Sequence, residues 1–144
     1  MKVYNVGAAW IASDELFFRS LKPTLELLKV KLSYGSVGNQ QGIGDFASRE
    51  LFGGRTYNGL VGPGLSTLPD QNLTWEEREK FNIGFNATMF KGRVIFGFDF
   101  YNDVTNRLFF ANQLSRTSGF ATQTTNIGSV QNRGFEFTLV TQNI

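Results

Sequence analysis

Apolar and polar residues alternate with a period of two through residues 81–103. Phe81, Ile83, Phe85, Ala87 and Met89 project one way, and Asn82, Gly84, Asn86 and Thr88 the other. Beyond Lys91-Gly92, Val94, Phe96, Phe98 and Phe100 share a face, while Ile95, Gly97, Asp99, Tyr101 and Asp103 share its opposite. A two-residue repeat belongs to a strand, since a helix repeats every 3.6 residues. The Lys-Gly link is short enough to make the two runs a tight antiparallel hairpin. Near the end of the chain Phe135, Phe137 and Leu139 alternate with Glu136, Thr138 and Val140 in the same way. One side of each ribbon is rich in phenylalanine and the other is small or polar.

Weaker alternation marks further strands. Tyr4, Val6, Ala8 and Trp10 alternate with Asn5, Gly7 and Ala9. Residues 28–37 put Val30, Leu32 and Tyr34 on one face and Lys31, Ser33 and Gly35 on the other. Between these two, Ser13-Asp14-Glu15 predicts a short helical turn over residues 16–21, with Ser13 or Asp14 as its cap and Pro23 ending it. Periodicity fails over residues 38–72, where glycines cluster, so this reads as a long loop with short ladders near residues 46–52. Loops of that length in a compact domain are usually functional. Thr74-Trp75-Glu76-Glu77 fits a capping box, but the alternation that follows at once favours the start of a strand. The central hairpin is expected to run on to Phe109 or Phe110. Residues 111–125 read as a second loop and residues 127–131 as a weak strand start. Five strands follow with one or two shorter candidates, joined by long loop, tight turn and long loop in turn.

Composition narrows the chemistry. The 144 residues include 15 Phe, 16 Gly and 3 Pro, with no Cys and no His. No disulfide framework or thiolate chemistry is available, and the commonest general base and transition-metal ligand is missing. No Ser lies in a nucleophile motif, so the chain does not read as an enzyme, and no cofactor or metal site is expected. A net charge of +2 without a basic stripe gives no reason to expect nucleic acid. No apolar run approaches the roughly 18 residues of a membrane helix. Met1-Lys2 is not followed by the apolar stretch of a signal peptide, because Asn5, Gly7 and Trp10 interrupt it.

Short turns on one side and long loops on the other are the pattern of an outer-membrane barrel. Its strands need about 9–11 residues to cross the hydrocarbon. On this reading Phe81, Phe85, Phe96, Phe98, Phe100, Phe135 and Phe137 face lipid, and Asn82, Asn86, Asp99 and Asp103 face a wet interior. Lipid admits only helices or closed barrels, and the smallest barrels need about eight strands. The expected fold class is therefore all-β, the antiparallel strands of part of a transmembrane β-barrel.

An ordered series of motifs carries a family resemblance. The segment LSYGSVGNQ at residues 32–40 resembles one found in SusC/RagA-type TonB-dependent outer-membrane transporters. So do LPDQNLTWE at 68–76, FNIG at 81–84, and DFYN at 99–102 with Thr105 and Leu108. SGF at 118–120, NIGSV at 126–130 and NRGFE at 132–136 complete the series. The resemblance spans almost the whole chain. It implies a parent barrel of about 22 strands with an N-terminal plug, in the cell outer membrane. It also implies energised uptake of a glycan (oligosaccharide) or peptide substrate. The implied partners are outer-membrane lipid, a SusD-like surface lipoprotein acting as lid, and the TonB complex. Residues 1–144 are then expected to be a partial barrel domain from the C-terminal half. Plug, TonB box, signal peptide and last strands are expected to lie outside it, so that alone it neither transports nor couples to TonB.

Each reading has a plainer rival. The phenylalanine stripe also suits the core of a soluble β-sandwich carbohydrate-binding module. Asp99 and Asp103 suit a wet wall, a ligand contact or a cation site. Glu76, Glu77 and Glu79 suit a solvated strand end better than acid–base catalysis. The glycines of residues 35–44 lack the Lys-Ser/Thr of a phosphate loop and suit turns. Tyr57, Trp75 and Phe120, in or beside loops, are candidates for stacking on sugar rings, or for an interfacial aromatic girdle.

Overall fold

The computed structural model describes residues 2–143. Nine strands are defined among them: β1 Tyr4–Ile11, β2 Leu25–Asn39, β3 Phe52–Tyr57, β4 Leu60–Leu65, β5 Glu76–Met89, β6 Val94–Asn106, β7 Phe109–Gln113, β8 Thr122–Asn126 and β9 Ser129–Thr141. Five form one sheet in the order β1-β2-β5-β6-β9, and the pairs β3-β4 and β7-β8 form two separate ribbons. The chain divides into two compact units. A sheet unit holds Lys2–Val37, Arg78–Val104 and the residues from Gln131 onward; a loop unit holds Gly38–Glu77 and Thr105–Val130.

In the sheet unit, β1 and β2 are antiparallel, with Val6 opposite Tyr34 and Trp10 opposite Val30. The Phe90 N–H donates to the Thr24 carbonyl at 2.9 Å, and the Gln142 N–H to the Arg93 carbonyl at 2.9 Å. The ends of β5 and β9 thus lie beside the starts of β2 and β6, so these neighbours also run antiparallel. Phe90, Lys91 and Gly92 all take positive φ in the turn joining β5 to β6. Glycine suits that conformation and the two side chains before it do not. The link is tight but runs over residues 90–93, two residues longer than the Lys91-Gly92 link read from the sequence.

Residues 12–24 differ from expectation. They form two short 3-10 turns, Ala12–Asp14 and Leu16–Phe18, and neither has a side-chain cap. The cap positions fall on Ile11 and Glu15, one residue before each turn, so Ser13 and Asp14 lie inside the first turn and cannot cap it.

In the loop unit the long glycine-rich stretch contains a real hairpin, β3-β4, with Tyr57 opposite Leu60. Asn58 and Gly59 turn it, both at positive φ, as a two-residue hairpin requires. The ladder lies C-terminal to the one expected near residues 46–52. β6 stops at Asn106, because Arg107 takes φ 57° and breaks the extended run. The chain resumes as β7, which pairs with β8 across the stretch expected to be irregular.

The sheet unit has almost no interior. Ala12, Phe18 and Ala87 are the buried apolar residues among those described.

Candidate functional site

The two faces of the sheet carry different chemistry. On the aromatic side the rings of β5, β6 and β9 contact one another. Phe85 lies 5.7 Å from Phe96 and 5.6 Å from Phe98. Phe98 lies 5.1 Å from Phe137, Phe100 lies 5.1 Å from Phe135, and Phe81 lies 6.4 Å from Phe100. All seven phenylalanines singled out in the sequence are thus brought together. They remain uncovered at the margin, where Phe137 is 69% exposed. Leu28, Val30, Ile83, Gly84, Phe85 and Phe98 line a shallow, wholly apolar groove on this side.

The opposite face is organised by charge and by glycine. Lys31 on β2 reaches Asp99 on β6, its Nζ 2.8 Å from Oδ1 and 3.0 Å from Oδ2. Strand β5 lies between those two strands, and the pair crosses it at Gly84. A Cβ there would meet the Asp99 carboxylate and the Phe98 carbonyl, the latter at 2.5 Å. Gly84 is the floor that lets the two charges touch. The device recurs. Tyr101 lies over Gly134, where a Cβ would sit 2.6 Å from the phenol oxygen. Asn86 and Thr138 flank Gly97 from either side, each 3.4 Å from where its Cβ would be. Arg78 donates to Asp103 across β5-β6 at 2.6 Å. Asp99 and Asp103 are therefore both paired with cations, not with each other. Among the described residues no group of three or more His, Cys, Asp or Glu could hold a metal.

The loop unit has its own polar ties. Glu76 accepts from Asn39 Nδ2 at 2.8 Å and from the Phe109 N–H at 2.9 Å, and Glu77 pairs with Arg107. These two glutamates bind segments together and are more than a solvated strand end. The Asn126 amide holds three backbone groups: it donates to the carbonyls of Thr74 and Arg107, and accepts from the Thr74 N–H. Nothing in the local sequence signals this clamp beyond an asparagine next to Ile-Gly.

The three aromatic candidates do not converge. Tyr57 stands at the hairpin tip, 87% exposed. Phe120 is covered by the Arg55 guanidinium, 5.5 Å from its ring centre, a cation–π contact. Trp75 is half exposed and lines a cavity of about 290 Å³ with Gln40, Ile43, Asp45, Ser48 and Leu73. Neither Tyr57 nor Phe120 contributes to that cavity. Of the three, Trp75 is the one whose ring lies open beside hydrogen-bonding groups in that cavity.

The family described as TonB dependent receptor-like, beta-barrel matches residues 3–142. The chain belongs to that family. This TonB-dependent receptor-like barrel chain is 35% identical, over 97% of its length, to TonB-dependent receptor P26 of Formosa agariphila. It is 31% identical, over 94% of its length, to TonB-dependent receptor SusC of Bacteroides thetaiotaomicron. The RagAB peptide importer in its closed-closed state superposes on 98% of the chain with a TM-score of 0.82 at 30% identity. The chain spans 14% of the length of P26 and of SusC, and 16% of the RagAB chain. The all-β, antiparallel barrel fold and the transporter resemblance read from the ordered motifs are thereby borne out for this part of a barrel.

Proposed function

We propose that residues 1–144 are a section of the wall of an outer-membrane transporter that imports oligosaccharides or peptides. The phenylalanine side faces lipid, and the side bearing Asn82, Asn86, Asp99 and Asp103 lines the wet interior. The observation that carries this is the contrast between the faces. Rings that would be buried in a water-soluble sheet protein stay exposed, with Phe135 64% and Phe137 69% accessible, while the opposite face is crossed by paired charges. In hydrocarbon the exposed rings are stabilised and unpaired backbone is costly. The edge strands β1 and β9 are thus completed by further strands of the same barrel. A carbohydrate-binding sandwich, the rival for the same alternation, would need those rings covered.

The similarity to SusC and to RagAB, the latter described as a peptide importer, supports a transport role with a surface lipoprotein partner and energy delivered through TonB. The chain itself performs no catalysis. Its long loops open to the outside, and the connections at residues 12–24 and 90–93 face the periplasm. In its host, the protein containing this chain should fractionate with the outer membrane, need detergent for release, and be required for uptake of one class of oligosaccharide or peptide. Recovery from the soluble fraction without detergent would overturn the proposal.

A further inference from the structure

The connection between β1 and β2 lies at the same end of the sheet as the tight turn of residues 90–93, since Thr24 and Phe90 are hydrogen-bonded there. Two adjacent antiparallel strands can be joined by a few residues, as β5 and β6 are. Residues 12–24 are far longer and are folded. The N–H groups of Glu15, Phe18, Arg19, Leu21, Thr24 and Leu25 all donate to carbonyls within the connection. Ala12, Ser13 and Phe18 are buried beneath it, with Phe18 only 5% exposed. Its outer surface is nevertheless greasy: Leu16 is 72% and Phe17 68% exposed, and Leu21 is exposed beside them. A turn built for water would place polar residues there.

The apolar surface is continuous with the aromatic side of the sheet. Trp10 is opposite Val30, which lines the apolar groove of that side. The Phe17 ring lies 6.3 Å from the Trp10 ring. The indole N–H is not left in that surface unpaired, because it donates to Glu15 Oε1 at 3.2 Å. A tryptophan with an apolar body and a satisfied polar tip suits the boundary between hydrocarbon and headgroups. Arg19 and Lys22 bracket Leu21, are exposed, and make no ion pair among the described residues.

We propose that residues 12–24 are a membrane-interface anchor. Leu16, Phe17 and Leu21 enter the headgroup–acyl boundary of the periplasmic leaflet, and Arg19 and Lys22 meet lipid phosphates. Asp14, exposed in the first turn, suits the ammonium group of a zwitterionic headgroup. The internal hydrogen bonds make shallow immersion tolerable, since backbone groups taken out of water must be paired. The surface is too charged for the bilayer centre and too apolar for bulk water.

This anchor rests on the lipid-facing reading of the sheet, and the experiment separates the two. The intact receptor is placed in nanodiscs of phosphatidylethanolamine and phosphatidylglycerol, with any cysteine outside this chain replaced. A bimane probe is attached in turn at Phe17→Cys, Leu21→Cys, Val30→Cys and Thr56→Cys. Probes at 17 and 21 should be quenched by lipids brominated near the headgroup and lose little signal to aqueous iodide. The probe at 30 should respond to lipids brominated deeper in the chain, and the probe at 56 to iodide. Should the probes at 17 and 21 respond to iodide, or to neither quencher because protein covers them, while the probe at 30 responds to lipid, the anchor is overturned alone. If the probe at 30 also ignores brominated lipid, the lipid-facing reading falls with it.

Discussion

The two units of this chain show two uses of glycine, floor and corner, although the sheet unit also has a corner at Gly92 and the loop unit a close approach of the Arg55 side chain to Gly64. In the sheet unit Gly84 and Gly134 are floors: a neighbouring strand's side chain lies where their Cβ would be. In the loop unit Gly59 and Gly119 are corners, at φ of 79° and 80°, and a Cβ at either would have nothing within 4 Å. Floors tie strands to each other, so a change at one is felt on the neighbouring strands. Corners shape only their own hairpin, and the side chains around them are left open to change.

That contrast can be broken in five places, taken from the largest expected effect downward. Phe98→Arg puts a charge among the rings of Phe85, Phe135 and Phe137 and should cost about 2–4 kcal/mol if the site lies near the bilayer midplane. Denaturant unfolding of the intact receptor in lipid vesicles measures it, with Tyr57→Arg as the loop-unit counterpart expected within about 0.5 kcal/mol of wild type. Gly84→Ala follows, at about 2–3 kcal/mol of overpacking. Adding Asp99→Ala should recover part of the loss; no recovery would deny that the carboxylate occupies that space. Gly134→Ala should cost about 1 kcal/mol, the low end of overpacking, because the atoms it meets belong to the Tyr101 ring. Tyr101→Ala in the same chain should relieve it.

Smaller still is Asp103→Asn. It breaks the Arg78 pair, whose arginine side is 46% exposed, and should cost no more than about 1 kcal/mol. The cost should shrink as salt is raised, which a thermal series at two ionic strengths would show. Gly62→Ala should be nearly silent, within about 0.5 kcal/mol, because open space lies where its methyl would go. A large effect there would erase the distinction between the units.

How much of this is legible in the sequence depends on the range of the interaction. The five long strands and the membership of their faces follow from period two alone, since neighbouring residues of a strand point opposite ways. The β3-β4 hairpin falls within a stretch that reads as loop, although Asn58-Gly59 is a strong local hairpin signal. Gly53, Gly54, Gly62 and Gly64 dilute its alternation until no apolar face is left to read. β7-β8 is hidden for a related reason, because β8 is made wholly of Thr, Gln and Asn and the apolar residues of β7 stand together at its start without alternating. The Lys31–Asp99 pair is out of reach: both lie on the polar side of their own strands, but only the strand order brings them together across Gly84. Trp75 is legible as a loop aromatic, but its cavity depends on Asp45 and Ser48, which no local pattern marks.

The Lys31–Gly84–Asp99 arrangement also bears on how such a wall changes over generations. Three positions on three strands form one unit, and the middle member contributes only the absence of a side chain. Replacing it first strands two charges, and replacing either charge first leaves the other unpaired. Drift at these sites should therefore proceed through loss of the charge pair before the glycine is released, and pairwise co-variation between residues 31 and 99 should vanish in any lineage where residue 84 has acquired a methyl.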